Sequence, residues 1–354
     1  MKNLYILHTQ YNIILGTGIL LNRFKEAQND LVVYAEFTLT DAYKRNLESV
    51  YDHVLYIREK FEPAKVGLLA NEIVLAKEWR QYKDSPYYRT CYDNIFISQD
   101  RALEALIVGY SIKKNKNCNY WDIEEDCYYS IDPAMNALDY NPGWHTRRTW
   151  AIRKILYGST YFTEKNKGKY IYGQSSYFNG IYAIFPNLIR PQLSDKQAVD
   201  ITVKEIVDGT TLLYNTDKTY LPNNVNTYLF FFDLLERYNN LKVIKLIVEQ
   251  IVSKANNDSA AILLKYHPRE TNKFDFNMDN IFEIPSIIPA EKILCDLKGR
   301  KVTVYGNATT SVIVSAKFGF NTVSIAGIEG SNNTYMIEQF ENMGIRVPKD
   351  ISDI

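Results

Sequence analysis

Four short segments of the sequence carry side chains suited to holding or transferring a phosphate-linked group. In the first, His267 and Pro268 follow the apolar run that ends at Tyr266. An imidazole at the carboxyl end of a strand can hold a phosphate or give a proton to a leaving group, and Pro268 makes the chain turn there. The alternative is a histidine that only hydrogen-bonds a nearby carbonyl group.

The second segment contains Glu291, two residues after Pro289. Both residue types suit the first turn of a helix, where a fixed φ and a negative charge are favourable. Glu291 therefore either compensates the helix dipole or offers a carboxylate that accepts hydrogen bonds from ribose hydroxyls.

The third segment begins with Gly306 and Asn307 and continues through Thr309, Thr310 and Ser311 into a predicted helix. Gly306 permits a tight turn, and hydroxyl groups beside free N–H groups at a helix start form a site for phosphate. Ordinary N-capping by Thr309 or Thr310 explains the same residues.

The order His267-Pro268, then Glu291, then Thr310-Ser311 resembles the donor half of bacterial sialyltransferases, which are glycosyltransferase-B enzymes that use CMP-sialic acid. It is most similar to the capsule and lipooligosaccharide sialyltransferases of glycosyltransferase family 52, with the polysialyltransferases as relatives. The resemblance implies that His267 contacts the CMP phosphate, Glu291 the ribose, and Thr310 with Ser311 the phosphate. The predicted donor-binding residues are His267, Pro268, Glu291, Gly306, Asn307, Thr309, Thr310 and Ser311.

The fourth segment is acidic and follows a predicted strand: Glu124, Glu125 and Asp126, then Cys127. In the resembling families, two acidic residues followed by glycine supply the general base, and here the glycine is missing. The base is thus Glu124, Glu125 or Asp126, and we favour Glu125 because it belongs to the acidic pair in either register. With His267 these residues form the predicted catalytic set; the alternative is a solvated acidic loop.

Three further residues are candidates for binding the acceptor glycan. Gln10 follows the first strand, while Trp144 and Arg147 belong to a basic, aromatic segment that could stack on and attract a sugar chain. A helix cap and a basic surface loop, respectively, are the alternatives. We expect no metal site and no cofactor, because hydroxyl groups and a helix N-terminus already suit the donor phosphate.

Strands alternate with helices along both halves of the chain, which predicts parallel sheets. The expected fold is α/β of the glycosyltransferase-B type, with two doubly wound Rossmann-like domains facing a central cleft. The break at Leu221-Pro222 divides residues 1–221, the acceptor side with the general base, from residues 222–354, the donor side. Whether the last helix packs back on the first domain is left open. We expect less regular structure between residues 132 and 220.

Composition excludes several classes of protein. Among 354 residues, Lys+Arg and Asp+Glu both number 41, so no net charge holds the chain on nucleic acid. The 46% hydrophobic content excludes a disordered chain. Four cysteines without a CxxC pair predict reduced thiols in the cytoplasm, and the apolar runs are too short to span a membrane. At most, we expect peripheral association with the inner face of the cell membrane.

Together these features predict an inverting sialyltransferase that moves sialic acid from CMP-sialic acid to a galactose-terminated or sialylated glycan of a capsule or lipooligosaccharide. The partners would then be CMP-sialic acid and an oligosaccharide or glycolipid acceptor. The alternatives are another enzyme of this architecture, either a glycosyltransferase that uses a different nucleotide sugar or a sugar-nucleotide epimerase, and a catalytically silent module that binds nucleotide or glycan.

Overall fold

A computed structural model describes residues 1–60, 68–99, 102–124, 144–157, 175–214, 221–222, 226–276 and 281–354. These residues form two compact units. The described residues up to Tyr214 belong to the first unit, and those from Leu221 onward belong to the second.

The described part of the first unit is built on a seven-stranded sheet with the order β3-β2-β1-β4-β5-β6-β7, in which every pairing is parallel. The strands are β1 (Lys2–Leu7), β2 (Gln28–Tyr34), β3 (His53–Arg58), β4 (Asn94–Ile97), β5 (Asn119–Ile123), β6 (Phe178–Ala183) and β7 (Gln197–Asp200). The helices are α1 (Gln10–Arg23), α2 (Asp41–Glu48), α3 (Leu68–Asp84), α4 (Ala102–Lys114), α5 (Trp144–Tyr157) and α6 (Val203–Leu213).

The described part of the second unit holds a five-stranded parallel sheet with the order β10-β9-β8-β11-β12. Its strands are β8 (Asn226–Phe231), β9 (Ala261–Lys265), β10 (Ile281–Ile284), β11 (Lys301–Gly306) and β12 (Asn321–Ser324). The helices are α7 (Leu241–Asn257), α8 (Ala290–Leu297), α9 (Thr310–Lys317) and α10 (Thr334–Asn342). A buried cluster that includes Phe230, Ile247, Leu264 and the terminal Ile354 joins the sheet to its helices.

Strand order determines where each unit can bind a ligand. In both sheets the first strand lies inside, and the chain adds strands first on one side and then on the other. Such sheets are doubly wound, and they bind ligands beyond the carboxyl ends of the strands where the order reverses. That point lies between β1 and β4 in the first unit, and between β8 and β11 in the second.

The prediction of an α/β fold with two parallel sheets is confirmed. The expectation of irregular structure between residues 132 and 220 is wrong for its described part, which contains α5, β6, β7 and α6. The two strands are hard to recognise from sequence. Strand β6 includes an asparagine and a glycine, and β7 is four residues long with exposed or half-buried side chains.

Candidate functional site

The carboxyl edge of the second sheet brings three of the predicted donor segments into one row. His267 follows β9, Glu291 stands at the start of α8 after β10, and Thr309 to Ser311 follow β11. Because β9 and β11 both pair with β8, the His267 and Thr309 segments are separated by a single strand. The row therefore lies at and beside the switch point of this sheet.

His267 is half-buried, and its ring is oriented by the backbone. The N–H of Arg269 donates a hydrogen bond to Nδ1 of His267 over 3.2 Å. A neutral ring with an acceptor at Nδ1 carries its proton on Nε2, so Nε2 remains a donor. Burial, and then the charge of Arg269, lowers the pKa of His267 to about 4. In the free protein the ring is therefore neutral near pH 7.

Three cationic groups and one carboxylate act on the pKa of His267. Arg269, Arg237 and Lys265 lower the pKa of the ring, while the carboxylate of Asp233 raises it. Asp233 lies two residues after the end of β8 and is itself paired with Arg237 over 3.2 Å. An anion bound beside His267 would meet these cationic groups, and it would raise the pKa of His267.

Glu291 is 5% exposed. Its own backbone N–H is the one hydrogen-bond donor to this carboxyl group among the described residues. Burial raises the pKa of Glu291 to about 7, and the charge of Lys265 opposes that rise. A carboxyl group in this state is ready to accept hydrogen bonds from a ligand, which dipole compensation at a helix start does not require.

Helix α9 begins without a side-chain cap. Thr309 has N-cap geometry, but its side chain makes no capping hydrogen bond, and its Oγ1 is buried with no partner in the described structure. The N-capping alternative for Thr309 therefore does not hold in this structure. The N–H groups at the start of α9 and the hydroxyls of Thr310 and Ser311, which are half-buried, remain suited to an anion.

Gly306 and Asn307 lead into this helix, and Gly306 serves a purpose other than the predicted one. It is the last residue of β11, and its φ is not positive. A Cβ at Gly306 would lie 2.8 Å from Cγ2 of Val312 and 3.1 Å from the carbonyl oxygen of Phe231. The glycine is therefore required by close packing between strand and helix rather than by a tight turn. The carbonyl group of Asn307 accepts the N–H of Thr309 over 3.0 Å.

Two residues at this edge were missed by sequence reasoning. Glu270 accepts the backbone N–H groups of Leu235 and Asn272, both over 2.7 Å, and so braces the loop after β9 against the loop after β8. Lys265 is a buried lysine at the end of β9. The sequence signal for Lys265 was a charged residue at the end of an otherwise apolar strand. Pro268, by contrast, is exposed beside His267, in keeping with a turn.

In the first unit, the structure describes one member of the acidic triplet. Glu124 follows β5 and is fully buried. Its Oε1 accepts the hydroxyl of Tyr11 over 3.3 Å, and its Oε2 accepts the backbone N–H of Ile184. Glu124 thus ties the end of β5 to α1 and to the chain after β6. Glu125 and Asp126 lie outside the described residues.

The predicted acceptor residues belong to two helices of the first unit. Gln10 is the first residue of α1 and is half-buried, and the preceding Thr9 caps the helix by accepting the N–H of Asn12. Trp144 and Arg147 lie on α5, and their side chains are outside the described part of the structure.

A polar cluster fills the switch point of the first sheet. His8, at the end of β1, is 3% exposed, with its Nδ1 3.0 Å from Oγ of Ser98 and 3.3 Å from the hydroxyl of Tyr34. Glu104, from α4, approaches the same nitrogen at 3.9 Å. His8 is thus part of a packed network rather than an isolated core histidine.

Neither a metal cluster nor a membrane-spanning helix is found in the described residues. No group of three or more His, Cys, Asp or Glu side chains there could hold a metal ion. No helix in the same residues is long and apolar enough to cross a bilayer.

Comparisons with known proteins extend over nearly the whole chain, at low sequence identity. No family model matches the sequence, and no curated protein does. Many solved structures resemble this one, among them the following three. UDP-GlcNAc 2-epimerase from Neisseria meningitidis bound to UDP-GlcNAc is 12% identical, with a TM-score of 0.54 over 100% of this chain and 89% of that chain.

Sialyltransferase from Photobacterium damsela is also 12% identical, with a TM-score of 0.52 over 98% of this chain and 81% of that chain. The wall teichoic acid polymerase TagF is 9% identical, with a TM-score of 0.50 over 99% and 78% of the two chains. Identities this low establish the architecture alone. The chain has the glycosyltransferase-B fold, with two Rossmann-like domains.

Proposed function

We propose that this protein is an inverting sialyltransferase that takes sialic acid from CMP-sialic acid and transfers it to a hydroxyl group of a galactose-terminated or sialylated surface glycan. One observation carries the proposal. The carboxyl edge of the second sheet presents, in order, the buried carboxyl of Glu291, the Nε2–H of His267 and the uncapped start of α9. A ribose diol donates hydrogen bonds, whereas a phosphate accepts them, so this order matches a nucleoside monophosphate.

The spacing of the row supports a single phosphate near His267. Neighbouring strands lie about 4.8 Å apart, so the carboxyl ends of β9 and β11 are separated by about 10 Å. A phosphate between them would reach both Nε2 of His267 and the first N–H groups of α9. Glu291, on the other side of His267, would then meet the ribose hydroxyls.

The neutral state of His267 fits the role of a phosphate ligand. As a neutral donor it can hold a phosphate oxygen, and the phosphate charge would raise its pKa from about 4 toward neutrality. The neighbouring Arg269 and Arg237 add positive charge for the departing CMP. Stabilising charge that develops on a leaving group is a major source of rate enhancement.

The general base in this proposal is Glu125, with Glu124 and Asp126 as the other candidates. The base removes the proton from the acceptor hydroxyl, whose oxygen forms a bond to the anomeric carbon of sialic acid. The bond from that carbon to the phosphate oxygen breaks, and its electron pair leaves with CMP. Glu124 already accepts two hydrogen bonds in a buried position, which favours Glu125 for the proton transfer.

The main competing function is that of an enzyme acting on a UDP-linked sugar. The likeness to the UDP-GlcNAc 2-epimerase structures favours this function, because their fold covers this chain as fully as the fold of the sialyltransferase does. A diphosphate would require the start of α9 to bind two phosphate groups. The preferred nucleotide therefore separates the two functions.

The test combines nucleotide binding with turnover. CMP, UDP and CMP-sialic acid are added to the full chain, and the melting temperature is measured; CMP release from CMP-sialic acid is then followed with a lactose-type acceptor. We expect CMP to stabilise the protein more than UDP does. His267→Ala and Glu125→Ala should each lower turnover by about 10²-fold or more, whereas Glu283→Gln, an exposed carboxylate of the same sheet, should not.

Three outcomes would contradict the proposal. Stabilisation by UDP without stabilisation by CMP would favour a UDP-sugar enzyme. Binding of CMP without turnover on any acceptor would leave a silent binding module. Full activity of His267→Ala would remove the histidine from the mechanism.

Turnover that survives EDTA is also expected, since the donor site uses helix N–H groups and hydroxyls for the phosphate.

A further inference from the structure

Lys265 is a buried charged residue at the edge that the proposed function uses. It ends β9, where its backbone pairs with Phe231 of β8 and Ile284 of β10, and it is 4% exposed. Its Nζ donates hydrogen bonds to the carbonyl oxygen of Tyr266 over 2.8 Å and to that of Ser286 over 3.0 Å. One ammonium group therefore joins the end of β9 to the loop that leads into α8.

The two carbonyl groups belong to the segments that lead to His267 and to Glu291, the two neighbouring donor ligands of the proposed function. Tyr266 immediately precedes His267, and Ser286 lies in the short loop before Glu291. Displacing this ammonium would free the loop from the strand, and the carboxyl group of Glu291 would move relative to His267. Small displacements of this kind are enough to weaken ligand binding and catalysis.

Charge adds a second link between Lys265 and Glu291. Burial lowers the pKa of Lys265 to about 8, and the carboxylates of Glu291 and Glu283 oppose this effect. Burial raises the pKa of Glu291 to about 7, and Lys265 is the charged side chain that opposes it. Glu283 is paired with Lys273 at the surface, and Lys292 with Asp296 on α8 itself. His267 also responds to the charge of Lys265.

We propose that Lys265 is a positioning residue for the donor ribose: its ammonium group holds the Ser286 loop against the end of β9 and so sets the position and charge of Glu291, which accepts the ribose hydroxyls. The identity of the ligand rests on the proposed function. The link between Lys265 and Glu291 rests on the hydrogen bonds of Lys265 to the two carbonyl groups and on its charge.

The first test measures CMP affinity by calorimetry between pH 6 and pH 9. In the wild type, affinity should fall below about pH 7, as Glu291 takes up a proton. In Lys265→Met this fall should begin at least one pH unit higher, so affinity should drop about threefold at pH 7.5 and approach a tenfold drop at pH 6, since one unit of pKa changes the ionised fraction tenfold only below both pKa values. Lys273→Met removes an exposed lysine of the same unit. This control should change neither the affinity at pH 7.5 nor the pH at which affinity begins to fall.

A double variant separates positioning from a general loss of structure. If Lys265 acts through Glu291, Lys265→Met should weaken CMP binding much less in a Glu291→Gln background than in the wild type. Equal losses in the two backgrounds would overturn the proposal. Lys265→Gln serves if the methionine variant fails to fold, because its amide keeps a donor for a carbonyl group while the charge is lost.

The second test does not depend on CMP. The side-chain carboxyl carbon of Glu291 is labelled with ¹³C, assigned through Glu291→Gln and titrated by NMR. The pKa of Glu291 should rise in Lys265→Met or Lys265→Gln; an unchanged titration overturns the proposal whatever the nucleotide does. If UDP binds the wild type and CMP does not, the proposed function fails, and the affinity test is done with UDP. If CMP binds wild type and Lys265→Met alike at every pH, the function stands and the inference fails.

Discussion

Replacing Glu291 with glutamine should make the folded protein more stable at alkaline pH, although it removes a proposed ligand of the donor ribose. Burial raises the pKa of Glu291 from 4.5 to about 7. Ionising this carboxyl group therefore costs the folded state ~3 kcal/mol relative to the unfolded chain, at 1.36 kcal/mol per pKa unit. The cost is complete above pH 7, declines as the pH falls, and vanishes below the unfolded pKa, where both states hold the proton.

Glutamine has nearly the same shape and no charge, so the variant avoids the cost. Part of the gain is offset, because Lys265 loses the carboxylate that opposes its desolvation. We therefore expect the advantage of Glu291→Gln over the wild type to grow by about 1–2 kcal/mol between pH 5 and pH 8. CMP affinity at pH 8 should decrease in the same variant.

Urea unfolding followed by far-ultraviolet circular dichroism measures this advantage at each pH. Tryptophan fluorescence would not serve, because the four tryptophans all precede residue 151 and none lies in the second unit. Glu283→Gln is the matched control, since this carboxylate is exposed. An advantage that is absent, or that shrinks as the pH rises, would refute the account of Glu291 as a buried, ionisable ligand.

Two further predictions concern the packing of α1 and the buried hydroxyl group of Thr309. A Cβ at Gly18 would lie 2.0 Å from the carbonyl oxygen of Glu205, whereas one at Gly16 would lie 2.6 Å from a terminal methyl group of Leu7, which can move. Gly18→Ala should thus be less stable than Gly16→Ala by about 1–3 kcal/mol in urea unfolding, and equal stability would contradict this packing of α1 against α6. Thr309→Val removes a buried hydroxyl without a partner in the described structure. It should raise stability by about 1 kcal/mol and weaken CMP binding, and a loss of stability would show that the hydroxyl is satisfied in the free protein.

Most of the strands that lead to the predicted donor residues could be recognised from sequence for a physical reason. Strands β8, β9 and β11 are largely buried, so their residues form apolar runs bounded by turns. The strand β10 was missed because it is an edge strand of four residues, with Phe282 and Glu283 exposed. Its position matters, since it is the strand that leads to Glu291.

The contacts at the site were less predictable than the elements. Whether Thr309 caps its helix depends on the rotation of one side chain, and the sequence is compatible with either state. The roles of Lys265 and Glu270 depend on backbone carbonyl and N–H groups of distant loops. Such partners leave no pattern in residue types, because every residue carries the same backbone groups.

The proposed donor edge differs from Glu124 of the first unit in how well its polar groups are satisfied. Glu124 has donors for both carboxyl oxygens, so it needs no ligand to complete it. In the second unit, Glu291 has no donor but its own N–H in the described structure, and Thr309 has a buried hydroxyl without a partner. Each of these lowers the stability of the free protein near neutral pH, and a ribose diol joined to a phosphate would relieve both. Nucleotide at a hundred times its Kd would then stabilise the fold by about 2.7 kcal/mol, and Glu291→Gln, more stable without nucleotide, should gain less from it than the wild type.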